Sequence, residues 1–331
     1  MRIRNDPQSG IRYSLCPFCH TQTETFMHFP DGSFACLSCG IHGDAHEYGL
    51  LCGARPAMPV RTYDNKLFAV YETAAEYYAK SLNARAYRYL KSREMTGQTL
   101  KQYRIGYAPK EYRIPEDFRK YPEALLLRSG LFRKWDNGSI TPFFRDRIMF
   151  PIIREDGHIV AFGGRRIGDG DEPKYLNTQE TNIFSKRNVL YGLHAEPKTS
   201  AVFICEGYMD LIAAQNSGVI DAAAVLGTAL TDEHAEILKS RYKGVYLGLD
   251  SDAAGRYAMR RSIGVLKRIG IPVRIAEFSP HKDPDEFIRE EGAEAFSARL
   301  KKSLRPDVFM VRAATNPGEL ATAISEFITV S

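Results

Sequence analysis

Between Ala201 and Glu277, short apolar runs alternate strictly with longer amphipathic segments, an order that restricts the possible folds more than any other feature. The runs at 201–205, 222–226, 245–249 and 273–277 read as strands. Between them, 208–216, 232–240 behind Thr231, and 253–269 before Gly270 read as helices. Such alternation predicts an α/β fold whose parallel sheet carries helices on both faces. Sheets of this kind bind ligands at the carboxyl ends of their strands.

Acidic residues gather at those ends. Glu206 follows the first strand, with Asp210 one helical turn on. Asp250-Ser251-Asp252 ends the third, and Asp283-Pro284-Asp285 lies after the fourth. Six carboxylates converging on one sheet edge repel one another unless cations offset them, and hard divalent ions prefer oxygen ligands. The expectation is two or more magnesium or manganese ions, able to stabilise both attacking and leaving oxygens of an in-line displacement. A lone Asp-x-Asp is more simply a helix cap, and Asp252 before Ala253 has that position. Gly207 is expected to let the backbone turn sharply after Glu206. Leu226-Gly227-Thr228 is a candidate companion wall.

Near the N-terminus, Cys16-Pro17-Phe18-Cys19 and Cys36-Leu37-Ser38-Cys39 form two CxxC pairs sixteen residues apart. Cys16, Cys19, Cys36 and Cys39 together close a tetrahedral site with no open position, so one zinc ion there would be structural. Four thiolates fit the spacing more simply than three thiolates and the imidazole of His20. Short strands around Pro30-Asp31-Gly32 would complete a zinc ribbon. Structural zinc contributes roughly 10–16 kcal/mol in small fingers, so metal and fold should form together. Cys52 and Cys205 read as small hydrophobes.

Residues 53–66 are rich in small residues and proline and read as a linker. Residues 61–110 carry ten basic and four acidic side chains, which concentrates the +5 net charge of the 331-residue chain in one stretch. Charge alone favours a solvated helix face there, and an aromatic stripe at helical spacing is more often core than a base-stacking platform. Further on, 147–153 and 159–162 read as a hairpin leading into Gly163-Gly164-Arg165-Arg166, a corner suited to close approach by phosphates. Gly192-Leu193-His194-Ala195-Glu196-Pro197-Lys198-Thr199 misses the phosphate-loop pattern, because Pro197 stands where a glycine must be. No apolar run reaches the eighteen residues or so of a membrane span, and the N-terminus lacks a secretory signal, so a cytoplasmic protein is expected.

These strings together resemble the bacterial DnaG-type primases. The resemblance runs through Cys16-Pro17-Phe18-Cys19, Tyr103-Arg104-Ile105-Gly106-Tyr107-Ala108-Pro109 and Phe144-Arg145-Asp146-Arg147-Ile148-Met149-Phe150-Pro151. It continues in Phe162-Gly163-Gly164-Arg165, Pro173-Lys174-Tyr175-Leu176-Asn177, Glu206-Gly207-Tyr208-Met209-Asp210, Asp250-Ser251-Asp252-Ala253-Ala254-Gly255 and Lys282-Asp283-Pro284-Asp285.

The resemblance implies a zinc-ribbon DNA-binding domain at 1–52, the linker at 53–66 and a mixed α+β basic subdomain at 67–195. A Toprim catalytic core at 196–285 and a short C-terminal helical bundle at 286–331 would follow. It implies synthesis of short RNA primers from ribonucleoside triphosphates on single-stranded DNA at the replication fork, by two-metal nucleotidyl transfer. Glu206, Asp250 and Asp252 would be catalytic, and Asp210, Asp283 and Asp285 would complete the magnesium face. Arg145, Arg147, Arg165, Lys174, Asn177 and Lys186 would hold nucleotides or primer and template, and template contact along 61–110 becomes the favoured reading.

Two departures stand out. The family's second zinc ligand is usually histidine, where this chain has Cys19. Cellular members carry a further helicase-binding domain, whereas the sequence ends at Ser331. The expectation is a shortened chain, or a phage or mobile-element member that recruits a replicative helicase differently. Two rivals remain: a Toprim-type DNA-cleaving enzyme related to topoisomerases or nucleases, and a non-enzymatic zinc-ribbon recombination protein.

Overall fold

The computed structural model describes residues 4–7, 9–16, 23–38, 42–43, 65–168, 170–227 and 229–314. The chain divides into two compact units, Met1–Arg61 and Thr62–Ser331. Among the described residues no helix is long and apolar enough to cross a membrane.

The first unit is an antiparallel sheet of five short strands in sequential order: β1 (Arg4–Asn5), β2 (Arg12–Ser14), β3 (Phe26–His28), β4 (Phe34–Cys36) and β5 (His42–Gly43). Phe26 and Phe34 stack with ring centroids 5.4 Å apart, and they share a small core with Cys16 and Cys36. Among the described residues these four are the buried apolar core of the unit, a small one for apolar burial alone. Cys19, Cys39, His20, Cys52 and the 53–64 part of the expected linker lie outside the described residues.

The second unit begins with three helices: α1 (Asn65–Lys80), α2 (Ala84–Ser92) and α3 (Gly97–Gln102). Tyr71 and Tyr78 of α1 are buried in the core, so the aromatic stripe does not face solvent. Strand β6 (Gly106–Ala108), helix α4 (Glu123–Arg128) and the hairpin β7 (Phe132–Lys134)–β8 (Ile140–Pro142) follow. Next come β9 (Arg147–Ile153), β10 (Ile159–Arg166) and β11 (Tyr175–Asn177). These form an antiparallel sheet ordered β11-β10-β9-β6. Every residue of β9 is buried, because α1 covers one face and the parallel-sheet module covers the other.

That module runs β12 (Ala201–Cys205), α5 (Tyr208–Asn216), β13 (Asp221–Ala224), α6 (Asp232–Arg241), β14 (Gly244–Leu247), α7 (Ala253–Ile269) and β15 (Val273–Ile275). Its strands are all parallel, ordered β13-β12-β14-β15. The two-residue period of a strand sorts the side chains. Val202 and Ile204 meet Leu238, Ile263 and Leu266 on one face, while Phe203 and Cys205 meet Leu211, Ile212 and Phe296 on the other. Helices therefore cover both faces, as the alternation predicts.

Of the expected short C-terminal helical bundle at 286–331, residues 315–331 lie outside the described residues. Helix α8 (Pro284–Lys301, broken at Gly292 where φ is 84°) places Phe287, Phe296 and Leu300 in the core shared with α5. Leu304 and Ile275 exchange two backbone hydrogen bonds of 2.8 and 2.9 Å, and α9 (Pro306–Arg312) adds Phe309 to the opposite core. Each helix has more apolar surface to bury against the sheet module than against its neighbour, so they pack there.

Candidate active site

The acids are placed by strand ends and helix caps. Glu206 leaves the end of β12, and its Oε1 accepts the backbone N–H of Asp250 at 3.0 Å. Asp252 caps α7, its Oδ1 accepting from Gly255 N at 2.8 Å, and Asp283 caps α8 through Glu286 N at 2.9 Å. Asp210, in the first turn of α5, accepts from Gly207 N at 3.1 Å and from Asp285 N at 3.2 Å. One buried carboxylate thus ties together the starts of two helices.

Two glycines make the close approach possible. A Cβ on Gly255 would lie 2.1 Å from the Asp250 carbonyl oxygen and 3.0 Å from Glu206 Oε1. Gly207 behaves otherwise than expected: its φ of −123° and ψ of 172° are extended values open to any residue. What limits position 207 is the Asp210 carboxylate, 3.1 Å from an added Cβ.

Crowding of like charge shows in the proton affinities. Burial, then Glu206, Asp283 and Asp252, push the Asp250 carboxyl up to about 7. Burial, followed by Asp283 and Asp250, drives Asp210 well above the usual carboxylate range, and burial also raises Glu206. The Oδ1 atom of Asp250 is buried with no hydrogen-bond partner among the described residues. A hard divalent cation fits this donor set, since it would supply the missing partner and offset the repulsion.

Glu206, Asp210, Asp250, Asp283 and Asp285 line a cleft of about 640 Å³ together with Arg165, Lys174, Asn177 and Lys186. Arg165 is clamped between aromatic rings, 5.4 Å from the Tyr89 centroid and 5.2 Å from that of Tyr175, whose hydroxyl it also contacts. Asn177 accepts from the Tyr208 hydroxyl at 2.7 Å. Burial, then Arg165, Lys282 and Arg93, lowers the proton affinity of Lys174. Cations crowded this way would be relieved by an anion such as a phosphate.

Other expected residues lie elsewhere. Arg147 is 1% exposed, and its Nη1 donates to the carbonyls of Gly164, Pro173 and Lys174 at 3.4, 2.9 and 3.3 Å. Its Nη2 pairs with Glu172 at 3.1 Å, so it braces the loop carrying Lys174 and does not line the cleft. Arg145 points to exposed Tyr112, 4.8 Å over the ring. The intervening Asp146 sits at φ 51° and binds Arg85 and the Tyr107 hydroxyl, which sends its two neighbours different ways. The expected Gly163-Gly164 corner is instead the interior of β10, covered by protein: an added Cβ would meet the Tyr208 hydroxyl oxygen at 2.2 Å and the Phe144 ring at 2.6 Å. Asp252 is exposed at its cap and does not line the cleft, and Thr228 is outside the described residues.

Arg93, Lys282 and Arg289 line the cleft and were not singled out by the sequence. Lys282 adjoins the acidic motif, and Arg289 lies four residues beyond Asp285 on a helix, a spacing that brings side chains together. Nothing local marks Arg93, whose partner Asp285 is 192 residues away.

Comparison with known proteins agrees with this architecture. Residues 74–196 match the DNA primase catalytic core, N-terminal domain, and 203–288 match a Toprim-like family. The DNA primases of Clostridium acetobutylicum and Pseudomonas aeruginosa are each 33% identical over 90% of the chain. The chain spans about half of those relatives' length, 55% and 51% respectively. Among solved structures, a DnaG primase catalytic domain bound to ssDNA is 30% identical with a TM-score of 0.72, covering 80% of this chain and 91% of that one. The zinc-binding and RNA polymerase domains of Aquifex aeolicus primase align over 99% of this chain and 87% of that one, at 26% identity and a TM-score of 0.68. On these matches in sequence and in fold, the chain belongs to the DnaG-type DNA primases.

Proposed function

We propose that this chain synthesises short RNA primers on single-stranded DNA from ribonucleoside triphosphates. The observation that carries the reading is Asp250: a carboxylate with a buried, unpartnered oxygen beside Glu206, in a cleft that also presents Arg165, Lys174 and Lys186. Magnesium or manganese, when bound, supplies charge neutralisation and makes the primer 3′-hydroxyl a better nucleophile.

The chain's own residues do the rest. Glu206 fixes the backbone of Asp250, and these two, with Asp210 and Asp283 of the same cleft, would hold the divalent ions, Asp252 adding its charge from the cap of α7 outside the cleft lining. Arg165, held between two tyrosine rings, would offer a preorganised fork to a triphosphate. Lys174, Lys186 and Asn177 would orient phosphates and sugar beside it. Arg145 on Tyr112, outside the cleft, is assigned to template contact, and a solved relative bound to ssDNA supports that partner.

For residues 1–52 we infer a zinc ribbon held by Cys16, Cys19, Cys36 and Cys39. The burial of Cys16 and Cys36 in a core of four residues supports it, as does the likeness to a solved structure of a primase's zinc-binding and RNA polymerase domains. The 67–195, 196–285 and 286–331 divisions are proposed as functional subdomains, with α8 and α9 of the last packed on the Toprim sheet.

Single-stranded DNA, four ribonucleotides and magnesium test the proposal. New short RNA, abolished in Asp250→Asn with template binding retained, is the expected product. Cut DNA would point to strand cleavage, and no product to a binding protein.

A further inference from the structure

Asp285 differs from the other acids of the cleft. Its Oδ2 accepts from Nη1 of Arg93 at 2.9 Å and its Oδ1 from Nε of Arg289 at 3.2 Å, while its side chain is only 8% exposed. Both oxygens are therefore committed to guanidinium groups. Asp250 is the opposite case, with a buried oxygen that has no partner. A divalent cation approaching Asp285 would meet two positive charges at hydrogen-bond distance from the same carboxylate, and their repulsion in a partly buried site outweighs the attraction of one acid.

The arginines lead from this anchor into the cleft. Arg93 follows the last turn of α2, its guanidinium 5.9 Å from the centroid of the Tyr89 ring that Arg165 also covers. Arg289 lies one turn into α8 from Asp285. Each guanidinium has five N–H donors and Asp285 engages one, which leaves donors for a ligand. Both arginines line the cleft.

We propose that Asp285 is a positioning residue and not a metal ligand: it anchors Arg93 and Arg289 so that their remaining N–H groups receive the triphosphate of the incoming ribonucleotide. This rests on the polymerase reading above for the identity of the anion. The assignment of Asp285 away from the metal stands on its own geometry.

The test separates metal from nucleotide in the full-length chain. Manganese affinity, read by electron paramagnetic resonance, should change by less than about twofold in Asp285→Asn, against a loss of about tenfold or more in Asp250→Asn. The KM for ribonucleotide in Asp285→Asn should rise about tenfold with kcat changed by less than about threefold. Arg93→Gln, which leaves the carboxylate in place, should raise KM similarly, and the double variant should be no worse than either single one.

A manganese loss in Asp285→Asn equal to that of Asp250→Asn overturns the proposal, as do additive KM effects. If Asp285→Asn does not fold, an unchanged KM in Arg93→Gln overturns it instead. Manganese binding is measured without primer synthesis. A wild-type chain that makes no RNA thus defeats the polymerase reading alone and leaves the metal measurement to decide Asp285.

Discussion

Glu206 accepts the backbone N–H of Asp250 across 44 residues of chain, so the acid ending one strand holds the acid ending its neighbour. The hydrogen bond survives if Glu206 becomes glutamine, while the charge does not. Glu206→Gln should therefore keep its melting temperature or gain a few degrees without magnesium, because one like charge is gone. Primer synthesis should fall by about a thousandfold or more. Thermal melts and primer yield on one preparation check both.

Asp250 sets a pH dependence. Its carboxyl titrates near 7 in the fold and near the ordinary 3.8 when unfolded, so the folded state binds the proton more tightly. The stability this confers is fully present below about pH 4 and is lost as pH rises through about 7. In magnesium-free buffer the gap in melting temperature between Asp250→Asn and wild type should widen from pH 5 to pH 8. Magnesium should close it at pH 8.

Gly255→Ala places a methyl group against the Asp250 carbonyl, where only backbone could give way. Overpacking of this kind costs about 1–3 kcal/mol, and here the displaced atoms belong to the acidic centre. Chemical denaturation should show that loss, and kcat should fall more than KM changes.

Arg147→Met removes the guanidinium's bonds to three carbonyls, of which only that of Lys174 keeps the Arg166 N–H at 3.0 Å among the turn and loop bonds. A loss of about 2–4 kcal/mol is expected, with a higher KM for ribonucleotide because the braced loop carries Lys174. A variant as stable as wild type with unchanged KM would refute the bracing role.

Cys36→Ser should lower bound zinc from one ion per chain and lose the cooperative melting of the first unit, while the second unit melts as before. Metal analysis with circular dichroism reads both. Full zinc content with normal priming would contradict a structural zinc.

Much of the parallel-sheet module was legible because its signals are local. Helices α5 and α7 occupy the expected residues, and α7 is bounded by the Asp252 cap and by Gly270 in the left-handed conformation. The second strand stops at Ala224 instead of 226, since Leu226 takes φ 58° in the loop beside Glu206. Acid placement also followed from strand ends. The cationic lining was less legible: Arg145, Arg147, Arg165 and Lys174 look alike in sequence, and only tertiary partners sort them. The positive excess of 61–110 is likewise partly spent internally, by Arg85 on Asp146 and Arg93 on Asp285. Such long-range pairs leave no periodic trace.

Tyr208 lies two residues before Asp210, stacks on Phe150 at 4.8 Å, meets Tyr191 edge-on and packs on Gly163. Its ring therefore fastens the helix that carries Asp210 to the strand that carries Arg165. Tyr208 is thus one of the buried side chains through which the two sheets share a core, and it stands at the point where the acidic and cationic walls of the cleft meet.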